Sequence, residues 1–505
     1  MNKVTRVKTR ERASLNLGSR GGIGIFSIIL LMIYMLFSWD RLGGPSPNNH
    51  FAYLAESFLA GQVSLKTPPP HGNDWASYEV VELKTSAKKK IESKLKRPIK
   101  ELRGIYLPKT KEHGRSQHIF ETLSGERLKI DPRELSSRKR QYFVSFPPLP
   151  ALLMSPLVAV FGLASSDIWF TLLFAVLNGI LAYQLFAQVI HDRERSKALQ
   201  SQQHIKVHTL DPEALWLAVS LSLGTAHFWC AVRGEVWFTA LIVGVSCQLL
   251  FFRWAWRMKA PLLAGIAYAC AFSTRASLIT LGLFAYLQYF SLDGNARQRL
   301  RRLAVFTIPP FIVGCLLLYY NHIRFERWYE FGHRYLAGGQ LSRISTYGLF
   351  NVVFIKKNLI AAFGLLPLIS TSAPLLTYSW HGMALQLSSP HLLYAVFRPS
   401  SWSSISETEV KRERVIVWTL KAMILTTLTL LLLYQNTGWV QYSWRFALDV
   451  IPGITLLIAL SGRAQGRLFK GLVIWGILIN LIGALIFGRN SLWWSALNLP
   501  ILTPH

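Results

Sequence analysis

Long apolar runs dominate this chain, and short polar clusters separate them. Residues 21–38, 168–190, 213–231, 235–254, 260–274, 276–290, 303–321, 415–434, 446–462 and 469–488 carry few or no charges. A helix of about 20 apolar residues crosses a hydrocarbon layer of roughly 30 Å and satisfies its own backbone hydrogen bonds, so runs of this kind predict spans. One further span is expected between 359 and 398. The pattern predicts an all-α polytopic membrane protein with about 11 transmembrane helices and a long first external loop carrying membrane-surface helices. The expected order is a cytoplasmic tail at 1–20, a first span at 21–38 and an external loop at 39–167. Transmembrane helices 2–7 follow at 168–321, an external segment with one span at 322–410, and three C-terminal spans at 411–505.

The basic residues fix the orientation. Clusters lie at Lys3 to Arg20, Arg193/Arg195/Lys197, Arg253/Arg257/Lys259, Arg297/Arg299/Arg301/Arg302, Lys411/Arg412/Arg414 and Arg463/Arg467/Lys470. The positive-inside rule places all of them in the cytoplasm, so an even number of crossings must separate each from the next. Residues 144–163 look like a span, but counting them as one would export the cluster at Arg193. They are therefore expected to enter from outside or to lie along the surface. A single helix over 260–290 would be about 45 Å long, and Arg275 would sit at mid-bilayer at a cost of at least ~2.5 kcal/mol. Two short spans with Arg275 at an outer turn fit better. The N-terminus is then inside and the C-terminus outside. The lysine run Lys88-Lys89-Lys90 lies in a long loop, which escapes the charge rule.

Composition agrees with a membrane protein: 51% of the residues are hydrophobic and 16% charged. The formal charge of +29 does not imply nucleic acid, because its basic residues flank apolar runs and form no basic face with interleaved aromatics. Cys230, Cys247, Cys270 and Cys315 lie in or beside apolar runs, as small buried hydrophobes do, and suggest neither a disulfide nor a metal site. A basic stretch followed by an apolar one resembles a signal peptide, but Ser38-Trp39-Asp40-Arg41 offers no small-residue cleavage site. A retained first span is expected.

In this topology a specific polar set gathers outside. Asp40 and Arg41 follow the first span, and Asn49, His50 and Glu56 lie just beyond. Asp74 occurs in turn-forming sequence beside Trp75. Arg233-Gly234-Glu235 forms a tight outer turn, with Arg233 and Glu235 an expected interfacial pair. Arg445 and Asp449 are four apart, which on an α-helix puts them on one face. Ionisable residues at such positions are functional candidates. A carboxylate to take a proton and cations to stabilise a departing phosphate would suit transfer from a phosphate-linked donor. The candidate bases are Asp40, Asp74 and Glu56, in that order, because Asp40 lies where the first span leaves the membrane. Asn49, His50, Arg233, Glu235, Arg275, Arg445 and Asp449 are the candidate substrate- and phosphate-binding residues.

Asp40, Asn48-Asn49-His50-Phe51-Ala52-Tyr53-Leu54-Ala55, Phe58-Leu59-Ala60-Gly61, Phe146-Pro147-Pro148-Leu149-Pro150, Thr274-Arg275 and Trp444-Arg445-Phe446 with Asp449 and Pro452 occur in this order. The set resembles the C-type glycosyltransferases, which include the protein O-mannosyltransferases and the lipid A aminoarabinose transferases. The resemblance covers most of the chain. It implies inverting transfer of a sugar from a polyprenyl phosphate, with a catalytic carboxylate and membrane-surface helices in the first external loop. Asn49-His50 stands where that family usually has an acidic pair, which leaves the base to Asp40, Glu56 or Asp74, or else makes this a divergent member with altered or lost transfer.

The expected protein is thus a lipid-phosphate-sugar-dependent glycosyltransferase of the bacterial cytoplasmic membrane, active on its periplasmic face. Its expected partners are a polyprenyl-phosphate sugar, membrane lipid, and a glycan, lipid or protein acceptor; no nucleic acid and no cofactor are expected, and a divalent cation is not indicated. The rival readings are a transporter or flippase of lipid-linked sugars, which should show internal repeats and broken midplane helices, and a polysaccharide polymerase or ligase.

Overall fold

The computed structural model describes residues 21–96, 98, 103–112, 115–122, 126–201, 210–336, 340–369, 371, 373–403, 405–489 and 491–495. The basic tail at 1–20 and the C-terminal residues 496–505, whose sides of the membrane were assigned from charge, lie outside them. The chain divides into two compact units. The first draws on Met1–Asn49, Ala164–Gly314 and Tyr347–His505, the second on His50–Leu163 and Cys315–Thr346.

The first unit is helical. Among the described residues six helices are long and apolar enough to cross a membrane: Gly21–Ser38, Asp167–Ala198, Glu235–Met258, Ala296–Phe325, Glu407–Leu433 and Arg467–Ile486. Their exposed faces are apolar, with Ile25, Met32 and Leu36 on the first and Ile308, Phe311 and Leu316 on the fourth. Such faces are stable against lipid. Four other expected spans are shorter apolar helices: Pro212–Leu223, Pro261–Phe272, Ala276–Ser291 and Ile451–Ser461. At 1.5 Å per residue a 12-residue helix reaches only about 18 Å, short of a crossing on its own. The expectation of about 11 full spans therefore reduces to six helices of spanning length. Between 359 and 398 no helix of that length occurs among the described residues. Prolines at 367, 374 and 390 interrupt the segment, which holds short turns and the strands Leu368–Ile369 and Leu376–Ser379.

Local sequence accounts for the breaks. Pro212 follows Asp211, whose carboxylate caps the helix by accepting from the backbone of Glu213 and Ala214. The expected break at Ser273-Thr274-Arg275 is present, with Arg275 extended between two helical segments. Inside the unit a polar chain ties helices together. Tyr34 and His227 both donate to the Ser222 carbonyl at 3.1 Å, Asn178 Nδ2 donates to His227 Nε2 at 3.0 Å, and Ser246 donates to Asn178 Oδ1 at 2.5 Å. Without water to compete, such bonds hold helices that apolar packing alone would leave free to slide.

The second unit corrects the all-α expectation. Residues 75–144 form a five-stranded antiparallel sheet in the order β4-β3-β2-β1-β5, with β1 Trp75–Leu83, β2 Arg103–Glu112, β3 Arg115–Thr122, β4 Arg127–Lys129 and β5 Leu135–Val144. The reason is period-two patterning, which an inspection for long apolar runs passes over. In β1, Ala76 and Tyr78 pack on one face with Ile105, Phe143, Phe325 and Tyr335. Val81 and Leu83 pack on the other with Tyr106, Phe120, Leu128 and Leu135. Charged residues between these positions disguise the alternation as a solvated loop. Among the described residues of the segment expected to carry surface helices, the α-helices are His50–Leu59, Thr85–Leu95 and Leu149–Phe161.

Candidate functional site: a row of arginines joined by aromatic rings

The turn Arg233-Gly234-Glu235 is tightly built. Gly234 has φ +66 and Glu235 φ +65, an unusual backbone for a non-glycine residue. Two contacts hold it: the Glu235 amide donates to Asp167 Oδ2 at 2.7 Å, and Arg233 Nη2 donates to Glu235 Oε1 at 2.7 Å. Arg233 Nη1 donates to the Phe487 carbonyl at 2.9 Å, while its Nε is buried without a hydrogen-bond partner among the described residues. Gly488, with φ +71, makes room for this guanidinium, because a Cβ there would overlap Arg233 Nη1.

From Arg233 a row leads through two rings. Its guanidinium stands 5.5 Å from the Phe238 ring, and Arg445 stands 5.1 Å from the same ring. Arg445 lies 5.6 Å from Phe446, and Arg275 5.5 Å from that ring. A ring between two cations attracts both, which lets like charges gather in a small volume. Arg445 is almost fully buried, donating from Nη1 to the Val440 carbonyl at 3.3 Å.

Asp449 anchors the far end. It accepts from Arg275 Nε and Nη2 at 2.7 and 2.8 Å and from Ser277 at 2.6 Å. The expectation that Arg445 and Asp449 share a helix face is corrected here. Arg445–Asp449 is a 3₁₀ turn, and at three residues per turn positions four apart point about 120° from each other. Asp449 faces Arg275 instead. The row thus contains three cations and two carboxylates, Glu235 and Asp449. Three guanidiniums so close together, Arg233 with a buried Nε that has no partner among the described residues, present donors of the kind an oxyanion accepts. A planar guanidinium recognises phosphate with directed hydrogen bonds.

Asp40 is placed otherwise. Arg489 grips both its oxygens, at 2.7 and 2.9 Å, and holds this carboxyl below the usual carboxylate range, with Arg41 adding to the effect. Arg41 donates to the carbonyls of Val232 and Phe487 at 3.1 and 3.0 Å. Burial, followed by the like charges of Arg233 and Arg489, pushes the Arg41 guanidinium down to about 9, so it remains charged at neutral pH. Asn49 donates to the Ser165 carbonyl at 2.8 Å.

The second unit holds His50, Glu56 and Asp74. His50 is buried and stacks on Trp75 at 3.7 Å between ring centroids. Its Nε2 meets the Asn73 carbonyl at 3.1 Å, which puts the proton on that nitrogen. Asp74, with φ +56, adjoins this stack, and Glu56 lies in helix His50–Leu59 with Oε2 buried and accepting no hydrogen bond among the described residues.

Of the candidate residues, the structure brings Arg233, Glu235, Arg275, Arg445 and Asp449 together, apart from His50, Glu56 and Asp74 in the second unit. Sequence reasoning missed Phe238, Phe446, Ser277 and Arg489. Arg489 was within reach: it is a lone arginine just after the last apolar run, as Asp40 is a lone aspartate just after the first. Among the described residues no group of three or more His, Cys, Asp or Glu side chains is placed to hold a metal ion. No family model matches the chain, and comparison with curated proteins and with solved structures gave no similar protein.

Proposed function

We propose that this membrane protein is a glycosyltransferase that moves a sugar from a polyprenyl-phosphate donor to a glycan, lipid or protein acceptor on the periplasmic side of a bacterial cytoplasmic membrane. The observation that carries the reading is the row Arg233, Arg445 and Arg275, a concentration of guanidinium donors in an apolar helical unit. Such a row costs desolvation energy unless an anion compensates it. A phosphate at the head of a membrane-embedded chain is a fitting anion.

In the proposed reaction an acceptor hydroxyl attacks the anomeric carbon from the face opposite the phosphate, and the bond from that carbon to the phosphate oxygen breaks. The arginines stabilise the charge that grows on the leaving phosphate. A carboxylate takes the hydroxyl proton. Both oxygens of Asp40, the first candidate, are engaged by Arg489, which must release one of them before Asp40 can take that proton.

The test is incubation of the purified full chain with a panel of radiolabelled polyprenyl-phosphate sugars and an envelope fraction as acceptor. Release of polyprenyl phosphate with inversion of the sugar supports the reading. If no donor on the panel is consumed by folded protein, the reading fails.

A further inference from the structure

The far end of the first unit holds a second set of cations. Helices Asp167–Ala198 and Glu235–Met258 run side by side in the same direction: Asp167 accepts from the Glu235 amide at one end, and Asp192 accepts from Trp256 Nε1 at 3.0 Å at the other. From Asp167 to Asp192 the rise of an α-helix gives about 37 Å. Around Asp192 lies a cavity of about 550 Å³ whose lining includes Arg195, Arg257, Lys259, Ser406 and Glu409.

The charges there are unevenly spent. Asp192 is bound by Lys259 at 2.8 Å as well as by Trp256. Glu409 is bound at 2.7 Å by Arg412, and its contact with Arg257 is longer, at 3.4 Å. Arg195 is exposed and forms no ion pair among the described residues. Arg257 Nε is buried and makes no hydrogen bond among the described residues, while Arg257 Nη2 reaches Glu409. Arg257 and Met258 also adopt left-handed backbone conformations, φ 52 and 49, after the helix ends at Ala255. That costs energy for non-glycine residues and turns the Arg257 side chain toward the lining. Ser406, on the same lining, caps the 27-residue helix Glu407–Leu433, whose N-terminal dipole favours negative charge. Membrane topology explains why basic residues occur at these helix ends, but not a cavity lined by three cations of which Arg195 has no ion pair among the described residues.

We propose that this cavity binds a phosphate-bearing ligand, held by Arg195 and Arg257 at the N-terminus of Glu407–Leu433. The ligand is either the headgroup of an anionic lipid or a soluble phosphomonoester, since both present the same oxygens. The site lies at the end of these two helices opposite Arg233 and shares no lining residue with the arginine row.

Calorimetric titration of the purified full chain tests this, with glycerol 3-phosphate as the soluble probe, dioctanoyl phosphatidic acid as the lipid probe and dioctanoylglycerol as the phosphate-free control. Saturable binding of phosphatidic acid alone identifies a lipid headgroup; binding of glycerol 3-phosphate as well identifies a soluble phosphomonoester. In either case Arg195→Gln and Arg257→Asn each weaken binding at least tenfold, whereas Arg275→Lys in the other row leaves it unchanged. Arg195 is exposed and has no ion pair among the described residues, so its variant folds even if Arg257→Asn does not. The proposal is overturned if neither phosphate probe binds, if the phosphate-free lipid binds equally well, if Arg195→Gln binds like the wild type, or if Arg275→Lys abolishes the binding.

Discussion

Asp40 and Arg489 form a two-pronged ion pair, 2.7 and 2.9 Å, between residues that directly follow the first and the last long apolar helices. Arg489 also donates to the carbonyls of Phe37 and Leu485 at 2.6 and 2.9 Å, so it closes the ends of both helices. Arg41 and Arg233 meet at the Phe487 carbonyl nearby. The C-terminal end of a helix carries partial negative charge, which makes it a natural gathering point for guanidiniums. The first candidate base is therefore also a structural clasp.

Asp40→Asn should lower stability by about 1 kcal/mol, because the pair is partly exposed and solvent screens it. The folded pKa of Asp40 lies below its ordinary 3.8. The stabilising contribution is thus fully present above the unfolded value and is lost as pH falls through the lower folded value. Thermal melts of purified wild type should lose stability between about pH 4 and more acidic conditions. The variant should lose less over the same interval, and identical acid profiles would refute the clasp.

Gly488→Ala should displace Arg233. Its Cβ would overlap the guanidinium and its φ of +71 disfavours any side chain. The expected loss is about 1–3 kcal/mol, seen as a lower melting temperature. Gly314→Ala, where a Cβ meets nothing within 4 Å, is the control. Equal melting of the two variants would show that the Arg233 pocket is not rigid.

The orientation read from the basic clusters is tested by cysteine labelling in intact cells. Cys315 is exposed and is first replaced by Ser. Lys129→Cys in the sheet should react with a membrane-impermeant maleimide, and Gln465→Cys should react only after permeabilisation. The reverse pattern would invert the topology.

The helices were legible because a membrane demands long apolar runs, and that demand is written residue by residue. The sheet was not, because its signal is alternation over only a few positions per strand, as at Ala76, Tyr78, Val81 and Leu83, diluted by lysine and arginine. The arginine row was partly legible. Charges in or beside apolar runs mark Arg233, Arg275 and Arg445, but pairing depends on local helix type. A 3₁₀ turn at Arg445–Asp449 sends Asp449 to Arg275, 174 residues away in sequence, and four-residue spacing cannot reveal that.

Phosphate affinity is the most direct measure of the row Arg233, Arg445 and Arg275. Arg275→Lys and Arg445→Lys keep the charge but lose the planar fork. Equilibrium binding of a radiolabelled polyprenyl phosphate to the purified chain should weaken at least tenfold in each variant, about 1.4 kcal/mol, with folding retained. Binding as tight as wild type in both variants would contradict the account.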